Sequence, residues 1–110
     1  MTNHELSASR LLSADVLTAA VEPDGVSAAL STAATTLTVG DVEVGLWEAG
    51  PGTDVDTEVD EVFLVLSGGG TLTFADGSAI TLCPGVLVRL QEGDRTTWEI
   101  TERLRKLYVA

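Results

Sequence analysis

The sequence predicts an all-β sandwich or barrel, and three features carry that prediction. From residue 35 onward, turn signals recur at mostly eight- to twelve-residue intervals, the spacing of short strands joined by tight turns. The runs between them are rich in Val, Leu, Thr and aromatic residues, side chains that suit a pleated, half-buried surface. No segment of useful length carries apolar residues at helical spacing.

Taken in order, residues 1–13 are polar apart from Leu11-Leu12 and read as a tail or a short edge strand. Ala14–Ala20 has room for one or two helical turns, and Glu22-Pro23-Asp24-Gly25 is a turn signal. Thr35–Val39 has the β-branched character of a strand. After Gly40-Asp41, Val42–Ala49 alternates, with Val42, Val44, Leu46 and Glu48 on one face and Glu43, Gly45, Trp47 and Ala49 on the other. Gly50-Pro51-Gly52 breaks that strand. The stretch Thr53–Glu61 is the most acidic of the chain. If it is extended, Asp54, Asp56, Glu58 and Asp60 share one side and Val55, Thr57, Val59 and Glu61 the other. Glu61 is therefore in phase with the valines before it and with Phe63 and Val65 after it. Val62–Leu66 and Thr71–Ala75 predict two strands flanking Gly68-Gly69-Gly70 as a hairpin turn, and the second ends at Asp76-Gly77. Ala79–Leu82, Val86–Leu90, Thr96–Thr101 and Arg103–Val109 complete the strands, with turns at Cys83-Pro84-Gly85 and Glu92-Gly93-Asp94.

The chain has 110 residues, the length of one domain, and an apolar fraction of 45% that argues against disorder. A formal net charge of −11 opposes nucleic acid, anionic membrane and phosphate-rich partners, because long-range repulsion must be overcome. The same charge is compatible with cation binding. Cys83 is the only cysteine, so no intrachain disulfide and no cysteine-based zinc cluster can form. Met1–Leu6 lacks the basic start and apolar core of a signal peptide, and no apolar run approaches membrane-spanning length. A soluble cytoplasmic protein is the expectation. The glycine run lies between strands and is no phosphate cradle, and a Ser/His/Asp relay lacks an available histidine.

The turns around Glu61 resemble the signature of the cupin superfamily. Gly52, Glu61 and Gly68 fall in place, with six residues between Glu61 and Gly68, and Val65-Leu66-Ser67-Gly68 looks like the Val-Leu-x-Gly ending of its first half. Pro84-Gly85 and Gly93 suit the second half. Trp98 and Lys106-Leu107-Tyr108-Val109 are similar to the branch related to ureidoglycine aminohydrolase and ethanolamine-utilisation proteins. The resemblance covers residues 40–110 and implies a cupin-like double-stranded β-helix, a jelly-roll barrel. Residues 1–34 then form an N-terminal arm or edge segment and residues 35–110 the cupin barrel, one domain overall.

Cupins of this kind hold a metal with three histidines and one glutamate. Here the paired histidine positions fall at Asp54 and Asp56, or at Val55 and Thr57, and the third falls at Thr96. The prolyl position before Gly93 is Gln91, and the sole histidine, His4, stands in the terminal segment. Of the ligand set only Glu61 remains. One carboxylate and a hydroxyl replace imidazole poorly at a transition metal, so the expectation is no metal and no cofactor.

Glu61 has two readings. It is a desolvated acid, base or hydrogen-bond anchor inside the barrel, or it is paired with Arg89 or Lys106 (Arg89 first) or solvated at the mouth. Trp47, Phe63 and Trp98 line an apolar pocket with Glu61 and Thr96 as polar handles, or they fill the core. Arg89 grips a substrate carboxylate, or lies on an exposed strand face. Lys106 and Tyr108 share a face of the last strand and reach the pocket or pair with acids on a neighbouring strand. The run Asp54/Asp56/Glu58/Asp60 resembles the start of a calcium loop. It has Val59 where that loop needs glycine and Val65 where it needs an acid, and so reads as a solvated charged loop. Cys83 reads as an inert buried thiol.

The leading expectation is a metal-free cupin that binds a small carboxylate- or amine-bearing molecule through Trp47, Glu61, Phe63, Arg89, Thr96, Trp98, Lys106 and Tyr108. The alternatives are a metal-independent acid–base enzyme of aminohydrolase or isomerase type, with Glu61 as its catalytic residue, and a structural module with a filled barrel. A homodimer is expected, because small jelly rolls cover an open edge or face with a second subunit. No nucleic-acid or membrane partner is expected.

Overall fold

Two long strands organise the molecule, and a computed structural model describes residues 10–38 and 40–110. Strands β5 (Glu61–Phe74) and β8 (Arg95–Val109) run antiparallel along most of their length. Each is flanked by two shorter strands in tandem. On the free side of β8, β3 (Val44–Ala49) pairs with Leu104–Val109 and β4 (Gly52–Thr57) with Arg95–Ile100. On the far side of β5, β7 (Leu87–Leu90) pairs with Glu61–Leu64 and β6 (Ala79–Leu82) with Gly70–Thr73.

The result is two four-stranded halves, β3–β8–β5–β7 and β4–β8–β5–β6, sharing the long strands. β2 (Ala33–Thr36) and β1 (Glu22–Pro23) extend the first half beyond β3. Phe63, Val65, Val88 and Leu90 from the first half pack in one cluster with Leu72, Leu82, Trp98 and Ile100 from the second. The halves therefore close on each other as an all-β jelly roll, with no helix among the described residues.

The hinge between the halves is the glycine run. The register of β5 against β8 shifts three times between Val65 and Gly70, so Gly68-Gly69-Gly70 lies within a strand and not at a hairpin turn. Gly68 has φ +84°, and a Cβ there would overlap the Arg103 carbonyl; one at Gly70 would overlap that of Glu99. Thr96–Thr101 and Arg103–Val109 are likewise one strand and not two. A glycine run between two alternating segments looks the same locally whether the chain turns back or presses against another backbone.

Smaller differences lie at the N-terminal side. Glu22-Pro23 pairs with Ala33-Ala34, so the turn begins only at Asp24. Residues 10–13 form no strand, residues 1–9 lie outside the described set, and Ala14–Ala20 makes a single turn closed by the Thr18 and Ala19 amides on the Asp15 carbonyl. The strand expected at Thr35–Val39 sits at Ala33–Thr36, and Val39 is not described.

This arm covers the outer face of β3 and β8. Arg105 donates to the carbonyls of Val16 and Ala19 at 2.8 and 2.7 Å, which helps explain why Leu46 is fully buried although it faces away from Trp47. Glu48 accepts from Arg103 and Arg105 at 2.6 Å each. Burial alone would raise its carboxyl, but the two guanidinium groups outweigh it and hold Glu48 below the usual carboxylate value.

Candidate functional site

A cleft of about 260 Å³ opens into the barrel between the β1–β2 loop, β4 and the inner ends of β3, β5 and β8. Strand pairing decides what faces it. Asp54 pairs with Trp98 and Asp56 with Thr96, and paired residues project to the same side of a sheet. Because Trp98 and Thr96 are buried, the acids of β4 share the inner face, while Val55, paired with Thr97, is 71% exposed. The expectation that Val55 would share the inner face with Glu61 is thus reversed, and β4 is a strand where a charged loop was expected.

The phase is reset between β4 and β5. Glu58 donates its amide to the Asp94 carbonyl at 2.8 Å and accepts from the Gly93 amide at 3.0 Å, and Asp60 accepts from the Glu92 amide at 2.9 Å. These bonds staple Glu58–Asp60 to the β7–β8 turn. Glu61 still turns inward, for a separate reason: it starts β5 opposite the buried Leu90 and alternates with buried Phe63 and Val65.

At the inner end of the cleft Lys106 donates to Glu61 Oε2 at 2.6 Å, with side-chain exposures of only 7% and 13%. The partner of Glu61 is therefore Lys106 and not Arg89. The Lys106 ammonium also stands 4.7, 4.5 and 5.0 Å from the ring centres of Trp47, Phe63 and Trp98, whose negative faces favour a cation. Its position follows from β8 lying between β3 and β5, since Lys106 pairs with Trp47 on one side and Val65 on the other.

The residue that sequence reasoning missed is Glu58. It is buried, and its Oε2 accepts from Thr96 Oγ1 at 2.7 Å and from the Trp98 indole Nε1 at 3.0 Å. The available signal was the shared parity of Asp54, Asp56 and Glu58 together with that of Thr96 and Trp98. The usual rule of apolar in and polar out pointed the set the wrong way.

Of the expected site residues, Trp47, Glu61, Trp98, Lys106 and Tyr108 line the cleft together. Phe63 lies fully buried among the core residues, and Thr96 is buried behind the cleft, hydrogen-bonded to Glu58. Arg89 does not join them: it pairs with Val62 on the outer face and is exposed. Cys83 is exposed, not buried.

Tyr108 donates its hydroxyl to Glu43 at 2.7 Å. Burial first, then the Glu43 carboxylate, pushes the phenol up to about 12. Tyr108 is the only tyrosine, so ultraviolet titration of the folded protein is expected to show a single phenolate midpoint near 12, against 10.0 for a free side chain. The folded state holds this proton more tightly, so the contribution to stability is complete below pH 10 and is lost as pH rises toward 12. A folded-state midpoint at 10 would remove the proposed burial and the Glu43 contact together.

Of the two alternatives for the paired ligand positions of the cupin signature, Asp54 and Asp56 are the ones on the inner face, and Glu61 and Thr96 stand at the other two positions. Asp54 accepts from the Ser27 hydroxyl at 2.5 Å, which together with the Val55 amide holds its carboxyl below the usual value. Glu61 is engaged by Lys106, and Thr96 donates to Glu58. These residues do not fit a cupin metal. Among the described residues no group of three or more His, Cys, Asp or Glu side chains is placed to hold a metal ion, and His4 lies outside them. No described helix is long and apolar enough to cross a membrane.

Comparison with known proteins agrees with this architecture. The chain is similar in structure to the EutQ protein of Clostridium difficile, with 20% identity, a TM-score of 0.62 and alignment over 71% of this chain but only 65% of that one. A putative ethanolamine utilization protein from Salmonella typhimurium aligns with 20% identity and a TM-score of 0.63 over 72% of this chain and 68% of its own. A protein of unknown function from Rhizobium leguminosarum aligns with 27% identity and a TM-score of 0.63, over 71% of this chain and 78% of its own. No curated protein sequence matches. Residues 36–108 match the model of the EutQ-like cupin domain, and the chain belongs to that family.

Proposed function

We propose that this protein binds a small organic molecule in the barrel cleft without a transition metal. The observation that carries the reading is the makeup of the wall, where Trp47 and Trp98 meet the Lys106–Glu61 pair and Glu58 at the inner end of an open cleft. Apolar faces with a few convergent polar groups are the usual composition of such sites. A filled barrel would leave no cavity of about 300 Å³ or more. The 260 Å³ found lies just under that bound, so the lining, and not the volume, favours binding. Acid–base work by Glu61 is disfavoured, because protonating it would strip Lys106 of its counter-charge. Structures with this fold include a protein named EutQ and an ectoine synthase, so the fold itself selects no activity.

The test is a titration of small amines, carboxylates and polyols followed by indole fluorescence, with Trp47→Phe as the control. A saturable change that weakens in Trp47→Phe is expected. No saturable response to any class up to about 10 mM, a binding free energy of roughly 3 kcal/mol, would remove the reading.

The same reading includes a cytoplasmic homodimer. The exposed Cys83 thiol suits a reducing compartment. On the outer face of the first half, Leu87, Leu64 and Leu107 form one cross-strand row and Val62 and Val109 the next. Leu87 is 68% exposed there, an apolar surface that a second copy would cover. A monomer mass by light scattering at the highest soluble concentration rejects the dimer.

A further inference from the structure

Glu58 is an acid of the cleft that the protein leaves half-satisfied. Its residue is only 9% exposed, yet both of its donors, Thr96 Oγ1 and Trp98 Nε1, go to Oε2 and neither is a cation. Among the described residues no lysine or arginine forms an ion pair with it, and Oε1 accepts no hydrogen bond. Oε1 is not sealed either, since no fully buried side-chain oxygen or nitrogen among those residues lacks a partner. Oε1 therefore keeps contact with solvent, and Glu58 is a lining residue of the cleft.

A carboxylate withdrawn this far from water and served by neutral donors alone gains most from a charged N–H. The remaining wall has the same preference. Asp54, Asp56 and Glu61 add negative charge, and Lys106, the one lining cation among the described residues, is already matched by Glu61. Trp47 and Trp98 are lining aromatics, and their rings already accommodate one ammonium, that of Lys106, at 4.7 and 5.0 Å.

We propose that the cleft takes a small organic ammonium ion, with an N–H donated to Glu58 Oε1 and the carbon body laid against Trp47 and Trp98. A carboxylate ligand would meet uncompensated acids, and a quaternary ammonium would leave Oε1 without a donor. This rests on the reading of the cleft as a small-molecule site.

Trp98 supplies the reporter, because its indole N–H is bound to the other oxygen of Glu58. The chain has two tryptophans, so two indole signals appear in a ¹⁵N spectrum and Trp47→Phe assigns them. The probes are butylammonium chloride, sodium butyrate, 1-butanol and magnesium chloride. Butylammonium is expected to move the Trp98 indole signal saturably and to bind about tenfold or more tighter than butyrate and butanol. Glu58→Gln, which keeps an acceptor for Thr96 and Trp98, is expected to lose about tenfold or more of that affinity, while Glu99→Gln, which removes an exposed acid outside the cleft, loses less than about threefold. Unchanged affinity in Glu58→Gln, or an equal response to magnesium, overturns the proposal. Saturable binding of butyrate or butanol with no ammonium preference overturns it while leaving the cleft a small-molecule site. Silence toward all four probes removes both.

Discussion

Replacing Lys106 by methionine is expected to destabilise the fold by about 2–4 kcal/mol, read as a lower urea midpoint at unchanged slope. Met fills much of the volume of the lysine stem, so the loss reports the charge. Without the ammonium, Glu61 is left as a nearly buried carboxylate at 13% side-chain exposure, and the three rings lose the cation they surround. Removing one member of a fully buried pair costs roughly 3–5 kcal/mol, and the residual access of Glu61 to the cleft lowers that figure. The double variant Glu61→Gln with Lys106→Met leaves no unpaired charge and is expected to recover most of the loss. A loss under about 1 kcal/mol in the single variant would mean that Glu61 is hydrated at the cleft and that the pair behaves as a surface one.

Gly68→Ala is expected to cost about 3 kcal/mol or more, or to prevent folding. Two effects add there: φ of +84°, which an L side chain rarely adopts, and a Cβ driven into the Arg103 carbonyl of β8. Gly77→Ala separates them. Gly77 has φ +88° but nothing within 4 Å of the added carbon, so its variant bears only the conformational cost, about 1–2 kcal/mol. Equal midpoint shifts in the two variants would sink the claim that β5 needs its glycines to press against β8. The glycines carry this burden because the barrel is closed by two strands that bend across each other, and the bend leaves no room between their backbones.

Both cases mark the limit of local reading. Ala79–Leu82 is a strand because four pleat-compatible residues stand between two strong turns, and no distant contact was needed to see it. The run at Gly68 carries the same local signal as a turn, and only the backbone of β8 distinguishes the two. The phase of Glu61 with Phe63 and Val65 is legible in the sequence, whereas the choice between its two candidate partners, Arg89 and Lys106, is not. Arg89 and Lys106 both stand on strands paired with β5, but Arg89 is opposite Val62 and faces out, while Lys106 is opposite Val65 and faces in.

The acidic strand states the division most plainly. By itself the amino-acid order determined an all-β chain with a cupin signature, a Glu61 in phase with Phe63 and Val65 at the head of a strand, and an alternating row of four acids. Which side of that row enters the barrel was decided by β8, where Trp98 and Thr96 lie 40 and 38 residues from Glu58 in the chain. Alternation sorts side chains into two faces, but only a pairing partner says which is inside. Here the partner brought an indole N–H and a hydroxyl, so the face that looked fit for water became the wall of the cleft.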